Sequence, residues 1–416
     1  MTIQELRQKH PEFKYRDYFY EIQGKDLKIS FDFLIEPNIS LNPEIIIKNI
    51  DEQRFKELET GVLNNLVFNV GLIEMISYFK ASCSPRISIE AGEIDEKQTE
   101  FLHNLIIKGL GQFFYENKID YRDKDFLKIC SYRKKELKIF EKKLKDRYLV
   151  PMGGGRDSIV ALEGLKSKRK EINCFVVNPT LCSRKVLEIA EVKDPIVVKR
   201  SIDLKLLELN KEGYLNGHTP FTALLSMLSV LCSVLFDYKN IAFSNEKSAD
   251  EGNVKFLGEI VNHQYSKSSE FEKKFKDYIK NYLVKDINYL SLLRNKNELQ
   301  ISEMFSKQNK YFREFSSCNR ALKEEGRGWC GQCPKCLFVY LTLYPYLSKE
   351  EMIDIFKKDL FEDKELLNTM KDLLNLGVHK PFECVGTYKE AKKALKMSKD
   401  KAEKQGPIPY ILKELK

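Results

Sequence analysis

Apolar and polar positions along the chain follow two different periods, and these periods predict its elements. Residues 27–33 alternate between apolar and polar side chains, which predicts a strand. Residues 64–80 carry apolar side chains along one face, which predicts a helix. We expect the polar members of that helix on its solvent-facing side: Glu74, Tyr78 and Lys80.

From residue 148 onward, strand patterns alternate with helix patterns. Strands are predicted at four apolar runs: residues 148–150, 172–177, 195–199 and 240–244. Helices are predicted at residues 159–168, 184–191 and 221–236. This alternation indicates a parallel sheet with right-handed crossovers, in which ligands bind beyond the carboxyl ends of the strands. Polar residues are expected to collect at that edge: the glycine-rich turn after the first strand, Asn178, Arg200, Asn245 and Glu246.

The patterns together predict an α/β protein with three consecutive parts. Residues 1–126 are predicted to form an N-terminal α/β domain, and residues 127–300 a parallel-sheet domain. Residues 301–416 are predicted to form a helical, cysteine-rich C-terminal region. The strongly basic stretch 126–145 is expected to be a helix that links the first two parts.

Composition narrows the class of protein. The chain has 416 residues, which suggests two or three domains, and 43% of them are hydrophobic, which is enough for ordinary cores. Residues 1–10 are polar and do not resemble a signal peptide, and the apolar stretch 221–236 is short for a membrane span. We therefore expect a cytoplasmic protein that does not enter a membrane and whose ten cysteines serve as thiols or metal ligands rather than disulfides. The net charge of +9 leaves nucleic acid, an anionic small substrate and a merely lysine-rich composition open.

The first chemical candidate is the turn after the strand at residues 148–150. Three glycines, Gly153, Gly154 and Gly155, allow the backbone to approach a phosphate closely. The helix that follows directs N–H groups and its positive dipole end toward an anion. Ser158 and Arg156 can donate hydrogen bonds to phosphate oxygens. Asp157 would repel phosphate directly, and its presence is explained if Mg²⁺ lies between them.

This turn has neither the G-x-G-x-x-G of dinucleotide sites nor the G-x-x-x-x-G-K-[ST] of kinase-type loops. It resembles the S-G-G-x-D-S pyrophosphate loop (PP-loop) of the ATP pyrophosphatases, which split ATP between the α and β phosphates. Residues 154–158 match that pattern, and Gly153 stands where the superfamily usually has Ser or Thr. A glycine-rich turn without a ligand is the alternative interpretation.

Three further residues are candidates for proton transfer. His218 precedes the predicted helix 221–236, where its pKa is expected to fall and where a neutral imidazole can act as donor or base. Thr219 is the expected N-cap of that helix. Glu246 ends the fourth strand and can act as a base or hold Mg²⁺, and His263 lies in a polar run that can close over a substrate. Surface or loop positions remain the alternative for all three.

The last chemical signal is a group of four cysteines. They are spaced by eleven, two and two residues: Cys318, Cys330, Cys333 and Cys336. Four thiolates suit a tetrahedral Zn²⁺ with a structural role, and an iron–sulfur cluster uses the same ligands. Cys384 lies outside the group, and we expect it to be a core thiol.

These motifs together make the chain similar to the MurL family, the UDP-N-acetyl-α-D-muramoyl-L-alanyl-L-glutamate epimerases of peptidoglycan precursor synthesis. The similarity extends over about residues 18–386. It is carried by the N-terminal unit and four short segments: residues 151–158, 217–221, 244–246 and 329–336. Each segment also occurs in other ATP pyrophosphatases, and it is their combination with the chain length that indicates MurL.

The resemblance implies an adenine nucleotide α-hydrolase-like, or PP-loop, domain and an isomerase that uses ATP and Mg²⁺. The terminal L-Glu of UDP-MurNAc-L-Ala-L-Glu would become D-Glu through an acyl-adenylate, with release of AMP and pyrophosphate. The implied ATP-binding residues are Gly153, Gly154, Gly155, Arg156, Asp157, Ser158 and, for adenine or ribose, Asn178. His218, Glu246 and His263 are the candidates for the epimerisation base.

Two other functions remain open at this point. One is a tRNA-modifying or pre-queuosine-type enzyme that adenylates a different substrate, although no RNA-binding appendage is recognisable and no nucleic acid partner is expected. The other is a zinc-stabilised protein that binds nucleotide without catalysis. The sequence does not determine the oligomeric state.

Overall fold

The structure is a computed structural model in which residues 2–132, 135–321 and 328–415 are described. The chain folds into two compact units. The first unit contains residues 1–149, 196–241 and 255–289, and the second contains residues 150–195, 242–254 and 290–416. Each unit is assembled from separate stretches of the chain. The division into three consecutive domains stays a prediction.

Helices and strands are found in both units, so the predicted α/β class is confirmed. The strands are β1 (Glu12–Gln23), β2 (Asp26–Ile35), β3 (Ile39–Leu41), β4 (Glu44–Ile47), β5 (Arg86–Ile89), β6 (Lys128–Ser131), β7 (Tyr148–Pro151), β8 (Ile172–Val177), β9 (Ile196–Ser201), β10 (Asn240–Glu246), β11 (Val254–Phe256), β12 (Glu259–Val261) and β13 (Asn288–Leu293).

The helices alternate with these strands along the chain. They are α1 (Ile3–Lys9), α2 (Glu52–Lys56), α3 (Thr60–Glu74), α4 (Ile76–Phe79), α5 (Glu96–Gly109), α6 (Gly111–Glu116), α7 (Arg156–Lys166), α8 (Leu181–Ile189), α9 (Leu204–Lys211), α10 (Phe221–Phe236), α11 (Ser269–Tyr278), α12 (Glu298–Phe305), α13 (Pro334–Leu343), α14 (Lys349–Phe356), α15 (Leu367–Leu373), α16 (Tyr388–Gln405) and α17 (Tyr410–Glu414).

The first unit is built on a mixed sheet. β1 and β2 form a long antiparallel hairpin, which turns at Gly24, where φ is +64°. β5 pairs in parallel with β1 and with β6, whereas β4 pairs antiparallel with β2 and with β9. The inward side chains of the hairpin alternate with outward ones and bury an aromatic layer that includes Tyr15, Phe31 and Phe33. This sheet supports the buried helices of the unit.

The central helices of the first unit are buried almost all round. α10 keeps the bounds predicted from its apolar run, packs against α3, and ends at Asp237, which adopts a left-handed conformation. By length and composition, Thr60–Phe79 could cross a membrane, yet 94% of its most apolar window is buried in the fold. A core helix passes the same test, so this segment gives weak evidence for a membrane span.

The second unit is largely helical around a short set of strands. The N–H of Met152, just after β7, donates to the carbonyl of Phe175 in β8 at 2.9 Å. α13 is buried along its whole length and packs against α12, α15 and α16. Several of these helices begin with a capping box, in which the N-cap and the third helical residue bond each other's backbone N–H, as Thr387 and Glu390 do in α16.

Two sequence predictions about elements are wrong. Within 126–145, the described residues form β6 but no helix, because backbone groups of this stretch bond distant parts of the chain: the N–H of Lys138 donates to the carbonyl of Gly61, and that of Phe140 to the carbonyl of Leu283. The polar residues of segment 64–80 do not face solvent: Glu74 and Tyr78 are inaccessible and Lys80 is 8% exposed. Their partners come from distant parts of the chain, which local periodicity does not reveal.

Candidate functional site

The glycine turn of the second unit lies between β7 and α7, as predicted from the sequence. α7 begins at Arg156 with Gly155 as its N-cap, and no side chain caps it. Among the residues that the structure describes, none accepts a hydrogen bond from the backbone N–H groups of Gly153, Gly154 or Gly155. An anion placed there would meet these N–H groups together with the positive end of the helix dipole.

The three glycines are not equivalent. Gly154 has φ of +81°, and a Cβ there would lie 2.9 Å from the sulfur of Cys182 and 3.0 Å from the Cα of Ser183. A Cβ on Gly153 would meet nothing within 4 Å. The thiol of Cys182 donates to the carbonyl of Glu314 at 2.9 Å, and burial raises its pKa to about 11. The turn is therefore fixed by close packing at Gly154, a contact that the sequence motif does not show.

The side chain of Arg156 is directed into the second unit, and its predicted contact with phosphate stays a prediction. Its side chain is 2% exposed and forms a buried ion pair with Glu298. One guanidinium nitrogen donates to the hydroxyls of Ser302 at 2.7 Å and Thr342 at 3.0 Å. The side chain thus ties the start of α7 to α12 and α13.

The remaining predicted residues of the loop lie at its surface or in the first turn of α7. Asp157 accepts a hydrogen bond from Nε of Arg156 at 3.1 Å, and its side chain is 24% exposed. The hydroxyl of Ser158 donates to the carbonyl of Gly155 at 2.9 Å. Asn178 is exposed directly after β8 and has φ of +47°. No described contact assigns Asn178 to adenine or ribose, so that role stays a prediction.

Glu246 lies near Arg156 at the end of β10. It is 3% exposed, and its carbonyl accepts a hydrogen bond from Arg294 at 2.9 Å. Burial raises the pKa of Glu298, and the charge of Arg156 opposes that rise, while Asp157 and Glu246 both add to it. Several carboxylates therefore share one buried guanidinium in this part of the second unit.

The four predicted cysteines come together in the second unit. Their sulfur atoms all lie within 4.8 Å of one another: Cys318, Cys330, Cys333 and Cys336. The sulfur of Cys318 is 3.8 Å from that of Cys333, and the sulfur of Cys330 is 3.7 Å from that of Cys336. Four sulfurs at about 2.3 Å from one zinc ion would stand about 3.8 Å apart. A multi-iron cluster would hold them further apart, because its own atoms stand between them.

Two buried lysines of the second unit were missed by sequence reasoning. Lys335, inside the cysteine motif, donates to the carbonyl of Cys384, and Lys380 pairs with Glu251 at 3.1 Å. They are 5% and 1% exposed, respectively. Lysine is rarely buried in this way. In the sequence, only the density of charged residues near the cysteines could have indicated that these two side chains are buried.

In the first unit, the two predicted histidines lie side by side. The ring centroids of His218 and His263 are 4.4 Å apart, and Nδ1 of His263 is 2.5 Å from Oε1 of Gln112. Burial lowers the pKa of His218 to about 3, with smaller effects from His263 and Lys80. The predicted fall of this pKa is confirmed, but burial rather than the helix dipole is its main cause.

The expected N-cap role of Thr219 is wrong. α10 begins at Phe221 without a side-chain cap, and the hydroxyl of Thr219 instead accepts a hydrogen bond from Lys80 at 3.0 Å. Lys80 also donates to the carbonyl of Gly217. A buried ammonium group needs oxygen acceptors, and this need takes the hydroxyl that would otherwise cap the helix.

Glu74 and Arg200 form a buried ion pair in the first unit. Nε of Arg200 donates to both carboxylate oxygens of Glu74, at 2.9 and 2.8 Å, and another of its nitrogens donates to Ser77 at 3.0 Å. The N–H of Asp203 donates to the hydroxyl of Tyr78 at 3.2 Å. The end of β9 is therefore joined to α3 and α4 by polar side chains that the sequence placed in solvent.

Two family models match the chain. The model of the MurL N-terminal domain matches residues 4–292, and that of the MurL C-terminal domain matches residues 314–414. A protein of Xanthomonas oryzae pv. oryzae (strain MAFF 311018), named UDP-N-acetyl-alpha-D-muramoyl-L-alanyl-L-glutamate epimerase, is 35% identical over 338 residues. That alignment covers 80% of this chain and 74% of the relative.

Two further relatives with the same name extend the comparison. The protein of Micromonospora sp. (strain ATCC 39149 / NRRL 15099 / SCC 1413) is 32% identical over 361 residues, covering 83% of this chain and 80% of the relative. The protein of Salinispora tropica (strain ATCC BAA-916 / DSM 44818 / JCM 13857 / NBRC 105044 / CNB-440) is also 32% identical over 361 residues, covering 83% and 78%.

Proposed function

Because the chain belongs to the MurL family, we propose that it epimerises the terminal L-Glu of UDP-MurNAc-L-Ala-L-Glu to D-Glu during peptidoglycan precursor synthesis. The names of the relatives support the reaction and the substrate. The glycine turn before α7, whose N–H groups donate to no acceptor among the described residues, is the observation that supports a role for ATP.

ATP solves a specific problem in this reaction. Removing the Cα proton beside a free carboxylate would place two negative charges on neighbouring atoms. Joining AMP to that carboxylate removes its charge and turns the carbonyl into an electron-withdrawing group, so the Cα proton becomes acidic enough for a side-chain base. Return of a proton on the other face gives D-Glu, and hydrolysis of the acyl-adenylate releases AMP.

The residues of the second unit divide this work. The N–H groups of the turn 153–155 and the start of α7 would hold the phosphates, and the hydroxyl of Ser158 lies in the same turn. Asp157 would hold Mg²⁺, which offsets the phosphate charges. Arg156 acts in this proposal as an internal brace, because its guanidinium bonds Glu298, Ser302 and Thr342.

The four cysteines are proposed to hold a structural zinc ion. Their sulfur separations fit one tetrahedral ion, and all four ligand positions would be sulfur, which leaves none for a substrate. His218, His263 and Glu246 remain the proposed candidates for proton transfer. The use of ATP and a nucleotide-linked substrate places the reaction in the cytoplasm in this proposal, without a nucleic acid or membrane partner.

One assay tests the proposal. Purified protein is incubated with ATP, Mg²⁺ and UDP-MurNAc-L-Ala-L-Glu, the terminal Glu is analysed by chiral chromatography, and AMP is measured in the same samples. We expect both D-Glu and AMP, and we expect Asp157→Ala to abolish both. Asp354→Ala is the matched control, because that aspartate lies in the same unit with a side chain that is 40% exposed. D-Glu formation at the normal rate in Asp157→Ala would rule out activation by adenylation.

A further inference from the structure

Lys80 is a buried cation whose ammonium group bonds two neutral oxygen atoms. It follows α4 directly, is 8% exposed, and donates to the hydroxyl of Thr219 and the carbonyl of Gly217. Within the described part of the chain, no carboxylate lies at ion-pair distance from its ammonium group. Glu74, six residues earlier in the chain, is instead bonded through both oxygens to Arg200.

Such a group is costly to keep protonated. Burial, and the positive charge of Arg200, lower the pKa of Lys80 to about 8. Near neutral pH the side chain can therefore exist as a free amine, which takes up protons, as well as an ammonium group, which delivers them. A lysine whose only task was to brace a turn would gain from a carboxylate partner, and Glu74 stands in the same segment but serves Arg200.

His218 lies between the two residues that Lys80 contacts. Its neutral imidazole can donate an N–H, but with a pKa near 3 it is a weak base. Residues 217–219 are partly exposed and Phe221 is 43% exposed, so the turn that carries His218 reaches the surface of the first unit. The imidazole of His218 and the second ring at His263 thus lie at partly exposed positions, and the buried amine of Lys80 bonds the residues on either side of His218.

We propose that Lys80 exchanges the Cα proton on one face of the glutamate residue and that His218 donates its N–H to the oxygen that gains negative charge. The Cα–H bond breaks, its proton binds the lone pair of the amine, and its electron pair passes into the enolate. A second acid protonates Cα on the other face, and solvent returns Lys80 to the free amine. This inference rests on the proposed function.

The groups around Lys80 set the pH dependence. Arg200 repels its charge, whereas Glu74 is neutralised by Arg200, and burial raises the pKa of Tyr78 so that this phenol stays neutral. His218 is neutral at the same pH. We expect the rate of proton removal by wild-type protein to reach half of its maximum near pH 8 and to level off at higher pH, where the amine is free.

The test measures proton exchange apart from nucleotide chemistry. Wild type, Lys80→Met, Lys80→Ala and Lys80→Arg are given the L-Glu and the D-Glu substrate in D₂O, and deuterium at Cα is followed by mass spectrometry. Exchange of labelled pyrophosphate into ATP reports adenylation in the same samples. Lys9→Met is the matched control, since Lys9 also donates to a neutral oxygen, that of Tyr214, at 3.1 Å.

We expect the Lys80 variants to keep pyrophosphate exchange and to lose Cα exchange from at least one epimer by about 10²-fold or more. Added alkylamines should restore exchange in Lys80→Ala with a rate that depends on the pKa of the amine. Cα exchange at the wild-type rate from both epimers, or equal loss of both exchanges, overturns the assignment. If wild type shows neither exchange nor D-Glu, the proposed function itself fails.

His218 has its own readout. His218→Gln keeps an N–H donor and should retain more Cα exchange than His218→Leu, while both variants keep pyrophosphate exchange. If the two variants lose exchange equally, the donor role of His218 is excluded.

Discussion

At the scale of single residues, the same amino acid serves different needs in the glycine turn. Gly154 needs the absence of a Cβ twice, because its φ is positive and because Cys182 and Ser183 press against it. A Cβ on Gly153 would meet no described residue within 4 Å, so we expect this position to tolerate the Ser or Thr that ATP pyrophosphatases commonly carry there. The requirement for glycine is therefore local to the middle of the turn.

Replacement of Gly154 should impair the protein, whereas replacement of Gly153 should have little effect. Gly154→Ala places a Cβ against Cys182. It also puts a side chain on a left-handed backbone, which costs about 1–2 kcal/mol, so we expect lower stability and loss of AMP formation. Gly153→Ala is the matched control. It should change the free energy of unfolding by no more than about 0.5 kcal/mol and should keep AMP formation. Urea unfolding and the AMP assay measure both variants, and a Gly154→Ala protein that behaves like wild type would contradict the packing argument.

Residue types alone did not reveal where the polar groups of segment 64–80 lie. The sequence predicted a helix and a solvent-facing side, and only the helix was correct. Glu74 is buried because Arg200, 126 residues away, reaches it, and Lys80 is buried because the turn before α10 supplies two oxygens. Partners that are so distant in sequence leave no trace in local periodicity.

At the scale of elements, one buried ion pair positions α7. Arg156 at the start of α7 meets Glu298 at the start of α12, and its remaining contacts include Thr342 in α13. Three helices therefore converge on a single guanidinium, and the glycine turn immediately precedes it.

We expect this pair to contribute strongly to stability. Arg156→Met leaves the carboxylate of Glu298 buried without its partner and should lower the free energy of unfolding by about 3–5 kcal/mol. The double variant Arg156→Met/Glu298→Leu should lose less than the sum of the single variants, because the two changes act on one interaction. The exposed pair of Lys56 and Glu52 is the control, with little change expected on its removal. Additive losses at positions 156 and 298 would argue against the coupling.

Elements were predictable where one property dominates. Strand β8 and helix α10 were located at their observed bounds because each is a continuous apolar run between turn residues. The basic stretch 126–145 was misassigned, because its backbone bonds distant partners, such as the carbonyl of Leu283 that accepts from the N–H of Phe140, and local sequence does not reveal them. Strand β10 continues past its predicted end, so Glu246 belongs to the strand.

At the scale of the whole molecule, the cysteines bring the two ends of segment 318–336 of the second unit together. Eleven residues separate Cys318 from Cys330, the first of the other three cysteines. Cys333 caps α13, because its sulfur accepts a hydrogen bond from the N–H of Cys336. The spacing of the four was predictive because neighbouring thiols in a two-residue gap can converge on one ion. The lysine inside the motif, Lys335, was not predicted to be buried.

Removal of the ion should destabilise the protein as a whole. Protein purified without chelator should contain about one zinc per chain, and Cys333→Ser should contain almost none. Cys384→Ser is the control and should keep its metal, because its sulfur lies outside the cluster. Elemental analysis and thermal unfolding with and without chelator measure the effect. A metal-free wild type with unchanged unfolding temperature would exclude a structural ion.

The buried side chain of Arg156 affects whether ATP can bind with or without a divalent cation. Its positive charge is matched by Glu298, and with Lys335 nearby two cations stand against three carboxylates, those of Glu298, Asp157 and Glu246. Arg294, which donates to the backbone carbonyl of Glu246, adds a third cation, so positive and negative charges are matched before a polyphosphate enters. Bare ATP should therefore gain little electrostatic attraction there, whereas ATP complexed with a divalent cation brings its own counter-charge, so metal dependence would extend to binding as well as to chemistry.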